Sequence, residues 1–280
     1  MRDLAALGKP RLSSLVLVTT GGGLWLAPGH IGPLRATLTL IATLLVVAAA
    51  NALNCFIERD VDAAMLRTRS RPLPAGRLEP RLALGVGVAV ALSAIPALAF
   101  TANPLTAVLG ALAFLSYVGL YTPMKRTSTA ALLVGAVPGA LPPLMGWTAV
   151  TGNLDAGGWV LFGILFFWQL PHFLAISLYL KDDYLRGGLR VFSVVHGERL
   201  TKIAMAASVI LLIPVTYFPM ALGMVGPVYG VAAAVLGLGF LGATLTGIGK
   251  YAIGIWARRV FLFSLVYLTL LFVALALGRL

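Results

Sequence analysis

The chain has 280 residues, of which 60% are hydrophobic and only 11% charged, with a formal net charge of +12. Soluble domains carry about half apolar and about a quarter charged residues, so this balance excludes an ordinary water-soluble fold and places the chain in a bilayer. The single cysteine, Cys55, excludes an internal disulfide and any cysteine-based metal cluster.

Crossing a hydrocarbon core of roughly 30 Å takes about 20 apolar residues. Nine such runs are read, at roughly 12–28, 34–57, 82–102, 104–121, 129–150, 157–180, 202–220, 226–247 and 257–278. The first follows Arg2, Lys9 and Arg11 and superficially resembles a signal peptide. No small-x-small cleavage site follows it, and Trp25-Leu-Ala-Pro28 reads as the far end of a retained helix. Gly21, Gly22 and Gly23, and the Gly135/Gly139 pair, lie inside runs where small residues let helices approach closely. Pro138, Pro142, Pro171 and Pro214 also fall within spans and predict kinked helices around a cavity. No linker, low-complexity tract or soluble segment separates from the rest. The expected fold is all-α: a single integral-membrane domain over 1–280, a polytopic protein whose nine transmembrane helices bundle around a central cavity open to the cytoplasmic side.

The 21 Lys and Arg test that order, because a misplaced helix would scramble their alternation between the two sides. All but Arg35 and Arg279 fall in one alternate set of segments, which includes Arg59 to Arg81, Lys125 and Arg126, Lys181 to Lys202, and Lys250 to Arg259. The positive-inside rule then predicts a cytoplasmic N-terminus and an external C-terminus, as in a bacterial-type cytoplasmic (inner) membrane. The positive charge is accounted for by topology and by attraction to the anionic lipid bilayer. Nucleic acid is not needed to explain it.

Charge stands against the end of the second run as Asn54-Cys-Phe-Ile-Glu58-Arg-Asp60-Val-Asp62, followed by Arg67-Thr-Arg-Ser-Arg71-Pro-Leu-Pro. At about 100° per residue, Asn54, Glu58 and Asp62 share one helical face while Asp60 points elsewhere. An acid at the bilayer centre costs about 2.5–3.5 kcal/mol on insertion scales, so the trio must face a wet cavity or a cation. Two carboxylates and an amide oxygen, with no His or Cys beside them, suit Mg²⁺. The plainer alternative is a solvated helix end, favoured for Asp60 alone, with Asp60 pairing Arg59 or Arg67. A second cluster, Tyr179-Leu-Lys181-Asp182-Asp183-Tyr184, ends the sixth run on the same side. Two acid clusters over one cavity, with Arg67, Arg71, Lys125 and Arg126 nearby, are expected to hold a metal-bound diphosphate, the metal on carboxylates and the phosphate oxygens on the basic groups. A diphosphate at a membrane surface suggests the leaving group of an isoprenoid whose tail lies in lipid.

These paired motifs and the nine-helix layout resemble the UbiA superfamily of intramembrane prenyltransferases. Lys9-Pro-Arg11, Asn54-Cys55-x-x-Glu58-x-Asp60-x-Asp62, Arg67-Thr-x-x-Arg71-Pro, Tyr121-Thr-Pro-x-Lys125-Arg126, Trp168-Gln-x-Pro171-His172 and Asp182-Asp183-Tyr are similar to its haem-farnesylating branch. The resemblance runs from residue 9 to about 197; the last three spans carry little signature. It implies transfer of farnesyl from farnesyl diphosphate to haem b with Mg²⁺, giving haem O for haem-copper oxidases. It also implies delivery of product to a downstream haem A synthase or oxidase assembly factors. By resemblance, Asn54, Glu58 and Asp62 bind one metal–diphosphate edge and Asp182 and Asp183 the other. Arg67, Arg71, Lys125, Arg126 and Lys181 serve the diphosphate, and Tyr121 lines the same pocket. Cys55 stands where the broader superfamily has aspartate, Glu58 replaces a commoner aspartate, and the second motif lacks a clean D-x-x-x-D spacing.

His172 lies eleven residues before Asp183, roughly 16 Å deeper at 1.5 Å per residue, a depth that suits the acceptor macrocycle. Its alternative is a buried histidine bonded between helices. His30 and His196 are given no part in the site. Two other functions compete: the same fold acting on a quinone precursor or a chlorophyll-type acceptor, and a haem-binding or transport membrane protein. The second predicts an inverted repeat of broken helices, and the sequence shows none.

Overall fold

The computed structural model describes residues 2–248 and 253–280, with Arg11, Leu12 and Ile248 described by their backbone only. Lys250, counted above among the basic segments, lies outside the described residues. Among the described residues the chain is helical, and strand pairing is limited to an isolated bridge between Val225 and Arg279. In order the helices are α1 (Arg2–Leu7), α2 (Pro10–Leu26), α3 (Pro33–Ile57), α4 (Arg59–Ala64), α5 (Pro80–Thr101), α6 (Pro104–Leu115), α7 (Thr122–Met124), α8 (Ala131–Thr151), α9 (Ala156–Tyr179), α10 (Lys181–Arg186), α11 (Phe192–Val215), α12 (Phe218–Ala221), α13 (Pro227–Leu245) and α14 (Ile253–Leu277). Proline opens α2, α3, α5, α6 and α13, where its fixed φ suits the first turn and its missing N–H removes a donor that would have no partner.

Among the described residues, eight stretches are long and apolar enough to cross a membrane, and α2 adds the shorter apolar piece Ser13–Leu26. At 1.5 Å per residue the 17 residues of α2 reach about 26 Å, just short of the hydrocarbon thickness. The nine expected runs therefore resolve into eight full spans and one short helix. The fourth run continues past its expected end through a π-helical turn, Ser116–Tyr121, into α7. The seventh begins earlier than expected, at Phe192, and contains a break at Gly197, whose φ of 76° only glycine adopts freely.

The centre of the bundle is α8 and α9, whose spanning windows are 72% and 61% buried against 28% for α5. Around them, α2 and α6 pack on α8, α11 and α14 pack on α9, and α3 pairs with α5. Trp147, Leu161, Trp168, Met205, Tyr229 and Tyr267 belong to the main core. Outer faces show Phe100 and Val228 at 85% and 82% exposure, a liability in water and ordinary surface against lipid. Of the glycines read as packing positions, Gly22, Gly23, Gly135 and Gly139 sit against close neighbours, whereas Gly21 faces open space. A Cβ on Gly23 would overlap the Pro143 carbonyl, and one on Gly146 would overlap the Thr20 carbonyl, so α2 and α8 cross backbone to backbone.

The two cations that break the charge alternation cap helix ends. Arg35 donates to Thr101 O at 3.2 Å and Ala102 O at 2.7 Å, at the end of α5. Arg279 donates to the carbonyls of Trp25 and Ala27, at the end of α2. Both answer the negative end of a helix dipole and its free carbonyls.

Candidate active site

Asn54, Glu58 and Asp62 do share one face, although no single helix carries them. α3 ends at Ile57 and α4 starts at Arg59, with Glu58 between them at φ −92°, ψ 4°. Register survives the junction because Glu58 N–H donates to Asn54 O at 2.9 Å and Asp62 N–H to Glu58 O at 2.7 Å. The three residues are 1%, 6% and 1% exposed, while the Asp60 side chain is 78% exposed and 3.6 Å from Arg59. Asp60 is therefore the solvated member, as its angle on the helix predicts.

Each of the trio faces a cation. Lys9 Nζ donates to Asn54 Oδ1 at 2.7 Å, Arg71 Nη1 stands 2.6 Å from Asp62 Oδ2, and the Lys125 ammonium lies against Glu58 Oε1. Asn54 Nδ2 ties the set together, donating to Glu58 Oε2 at 2.9 Å and Thr122 Oγ1 at 3.1 Å. Burial pulls the Lys9 ammonium below the ordinary lysine value, opposed by Cys55. For Lys125 burial also acts downward, and Tyr121, Glu58 and Tyr117 outweigh it, so this ammonium is held above the ordinary value.

The π-helical turn presents the aromatic wall. Tyr117 and Tyr121 lie with ring centroids 5.3 Å apart, and Lys125 Nζ stands 4.7 Å from the Tyr121 ring. Just before Pro123, the Thr122 backbone N–H and its Oγ1, the latter at 2.8 Å, both donate to Tyr117 O and close the turn. Gly135 of α8 leaves room for the Tyr121 ring, and Gly139 leaves room for the Gln169 amide. A cavity of about 450 Å³ joins these parts. Lys9, Arg67, Arg71, Lys125 and Arg190 line its charged end, and Phe114, Leu165, Trp168 and His172 its apolar end, with Pro138 and Pro142 in the wall. His172 is buried and lines this cavity.

The second acid cluster does not meet the first across the cavity. Asp182 is exposed. Asp183 is buried, but its carboxylate accepts from the backbone N–H groups of Leu66 and Arg67 at 3.1 and 3.2 Å and pairs with Arg186 at 3.2 Å. The reason is local: the short α10 turns Asp183 toward the loop at Leu66 and Arg67 and Asp182 to the surface, and Tyr184 takes the place on the cavity wall. Lys181 pairs with Glu198 at 3.2 Å, and Arg126 is exposed and donates to Ile57 O. Neither lines the cavity. His196 has Thr129 Oγ1 as neighbour at 3.3 Å, a loop contact away from Asp183. Cys55 points away from the cavity into a small apolar cluster with Leu7, Ala52, Leu73 and Ala83, where a carboxylate would have no partner.

Sequence reasoning gave no part in the site to Lys9, Tyr117, Tyr184 or Arg190. Tyr117 stands four residues before Tyr121, a spacing that puts both on one helical face. Tyr184 adjoins Asp183. Lys9 was counted for topology and as part of the Lys9-Pro-Arg11 motif without a site role, although it is the only described non-glycine with positive φ, 48°, which turns the chain into Pro10 and aims the side chain inward. Arg190 carried no local signal. Its N–H donates to Lys125 O at 2.9 Å, a pairing only the fold creates.

Among the described residues no three His, Cys, Asp or Glu side chains converge as a metal cage. That excludes a closed structural site and fits Mg²⁺, which binds through one or two carboxylates and completes its sphere with water and substrate phosphates. Glu58 Oε1 could serve as such a ligand: it is buried against the Lys125 ammonium, which would turn to a substrate phosphate where a metal took its place.

A polytopic helical bundle with an intramembrane cavity, charged at one end and apolar at the other, defines a membrane enzyme for a substrate with an anionic head and a lipid-like tail. The chain belongs to the UbiA prenyltransferase family, whose pattern matches residues 15–266. It is 61% identical to the protoheme IX farnesyltransferase of Anaeromyxobacter sp. (strain Fw109-5), over 99% of this chain and 93% of that protein. It is 54% identical to the protoheme IX farnesyltransferase of Myxococcus xanthus (strain DK1622), over 99% and 94%. Among solved structures it resembles a digeranylgeranylglyceryl phosphate synthase with a TM-score of 0.82, at 15% identity over 99% of this chain and 97% of that one. It also resembles a UbiA homolog from Archaeoglobus fulgidus bound to GPP and Mg²⁺ with a TM-score of 0.71, at 14% identity over 98% and 99%. At such identities these likenesses speak for the fold.

Proposed function

We propose that this protein transfers the farnesyl group of farnesyl diphosphate to a vinyl group of haem b, with addition of water, giving haem O and diphosphate. One observation carries the reading: a buried line of Asn54, Glu58 and Asp62, the two acids paired with Lys125 and Arg71 and the amide oxygen bonded by Lys9, at the head of a cavity that runs past Tyr117 and Tyr121 to His172. The strong likeness to protoheme IX farnesyltransferases along nearly the whole chain names the acceptor.

In this reading Glu58 and Asp62, with the Asn54 oxygen, hold Mg²⁺, which when bound offsets the charge that builds on the departing diphosphate. Lys9, Arg67, Arg71, Lys125 and Arg190 turn to the diphosphate oxygens. Arg71 offers a planar fork and Lys125 a point charge. The electrons of the C–O bond leave with diphosphate, and the allylic cation forms against the faces of Tyr117 and Tyr121, whose quadrupoles favour it. The terminal vinyl carbon of haem bonds to farnesyl C1. Water adds to the cation left on the inner carbon and releases a proton, so no strong base is needed. Asp183 holds Leu66 and Arg67 in place, and Lys181 and Arg126 stay outside the cavity.

The same reading makes residues 1–280 one prenyltransferase domain in a bacterial-type inner membrane, with the charged end of the cavity and the N-terminus cytoplasmic and the C-terminus outside. Its product then passes to enzymes or assembly factors that build terminal oxidases. The test is mass spectrometry after incubating purified protein with haem b, farnesyl diphosphate and Mg²⁺. The expected product has gained a farnesyl group and a hydroxyl. Transfer to a quinone precursor or chlorophyll-type acceptor, with none to haem, would overturn the assignment.

A further inference from the structure

Outside the ring of charges, the cavity holds one nitrogen base, His172, and the mechanism above gives it nothing to do. Its Nδ1 is 2.7 Å from Ser264 Oγ on α14. Ser264 is wholly buried and does not line the cavity, so Nδ1 faces away from the cavity and Nε2 faces into it. The Ser264 hydroxyl has one proton, and the Phe261 carbonyl takes it at 2.6 Å. With that proton on the Phe261 carbonyl, the same oxygen accepts from His172, the assignment that puts the imidazole proton on Nδ1 and leaves Nε2 with a free lone pair. The arrangement is braced twice more. Trp168 Nε1 donates to Ser264 O at 2.8 Å, locking α9 to α14, and the Trp168 and Phe261 rings flank His172 at centroid distances of 4.7 and 4.9 Å.

We infer that Ser264 is a positioning residue that fixes His172 as the Nδ1–H tautomer, so that Nε2 serves as an axial ligand to the iron of a metalloporphyrin acceptor. A neutral imidazole whose second nitrogen donates to a fixed oxygen is how proteins orient a histidine toward a metal and raise its basicity. A histidine held only for helix packing has no need of a free nitrogen on the cavity side. Ligation at Nε2 pins the macrocycle by its centre at the apolar end and leaves its edge to reach the allylic cation. The inference rests on the acceptor being haem, as proposed above.

The test is a Soret titration of purified full-length protein in detergent with ferric haem and, separately, with metal-free protoporphyrin IX. Wild type should give the shifted Soret band of histidine-ligated haem. His172→Ala should lose that shift yet bind metal-free protoporphyrin as wild type does, which also shows that the variant is folded, and added imidazole should restore the shift. Ser264→Ala should keep the shift with affinity for haem weakened by about tenfold or more and affinity for metal-free porphyrin unchanged. A Soret band identical in wild type and His172→Ala, or equal losses for both porphyrins, overturns the inference. Product analysis in parallel separates the two ideas: haem O made with an unchanged Soret band refutes ligation alone, whereas no haem binding and no product refutes both.

Discussion

The Asp62–Arg71 pair offers the sharpest division between a structural and a functional role. Asp62 is 1% exposed and its Oδ2 lies 2.6 Å from Arg71 Nη1, a charge-assisted hydrogen bond of about 1.5–3 kcal/mol. Asparagine keeps the shape and a neutral acceptor of about 1 kcal/mol, so Asp62→Asn should lower stability by only about 1–2 kcal/mol. Thr68 Oγ1 bonds the Asp62 backbone carbonyl at 2.9 Å and still anchors the turn. If Asp62 also holds Mg²⁺ on the leaving group, losing its charge removes stabilisation of the transition state, a loss of about 10²–10³-fold in kcat. The assay is a double-mutant cycle of Asp62→Asn and Arg71→Gln, reading thermal unfolding without ligands and turnover across Mg²⁺ and farnesyl diphosphate concentrations. Asp62→Asn should raise the Mg²⁺ needed for half-maximal rate, and Arg71→Gln should chiefly raise the KM for farnesyl diphosphate. Both should show coupled losses of stability. Activity within about threefold of wild type in Asp62→Asn, or the same kinetic change in both variants, refutes the division of labour.

Chelation of divalent metal should abolish product formation, and Mg²⁺ should restore it; full turnover after exhaustive chelation would remove the metal from the scheme. Asp183→Asn should weaken the anchoring of Leu66 and Arg67 and lower kcat/KM at least tenfold, while Asp182→Asn, on an exposed side chain, should stay within about threefold. Equal losses in the two would show that both acids reach the cavity during turnover. Gly135→Ala places a methyl group where the Tyr121 ring lies, so turnover should fall while thermal unfolding shifts little; an unfolded variant would mark Tyr121 as core. Gly146→Ala drives a Cβ into the Thr20 carbonyl. Its cost, about 1–3 kcal/mol of overpacking, should appear as a lower unfolding temperature, and an unchanged one would mean that α2 and α8 separate freely.

Much of the site was legible in the sequence because helical spacing is a local property. The Asn54, Glu58 and Asp62 face survived even the break at Glu58, since two backbone hydrogen bonds carry the register through it. Asp60 was assigned to solvent by the same arithmetic. Spacing failed at Asp182 and Asp183, where the direction of a short helix after a span depends on the loop it packs against. It also failed at Lys9 and Arg190, whose places follow from a left-handed turn and from pairing with a distant loop. Ser264 lies in a span with no polar pattern to mark it.

By itself the sequence determined that this is a bundle of apolar helices with most of its cations in alternate connecting segments, because apolar length and charge spacing are written residue by residue. It also determined which oxygen donors share a face. Only the tertiary structure decided which cation neutralises which acid, that the second acid cluster grips a loop instead of the cavity, and that α14 supplies the hydroxyl behind His172. Those facts depend on distances between residues from nine to more than a hundred positions apart, and no periodicity along one chain can fix them.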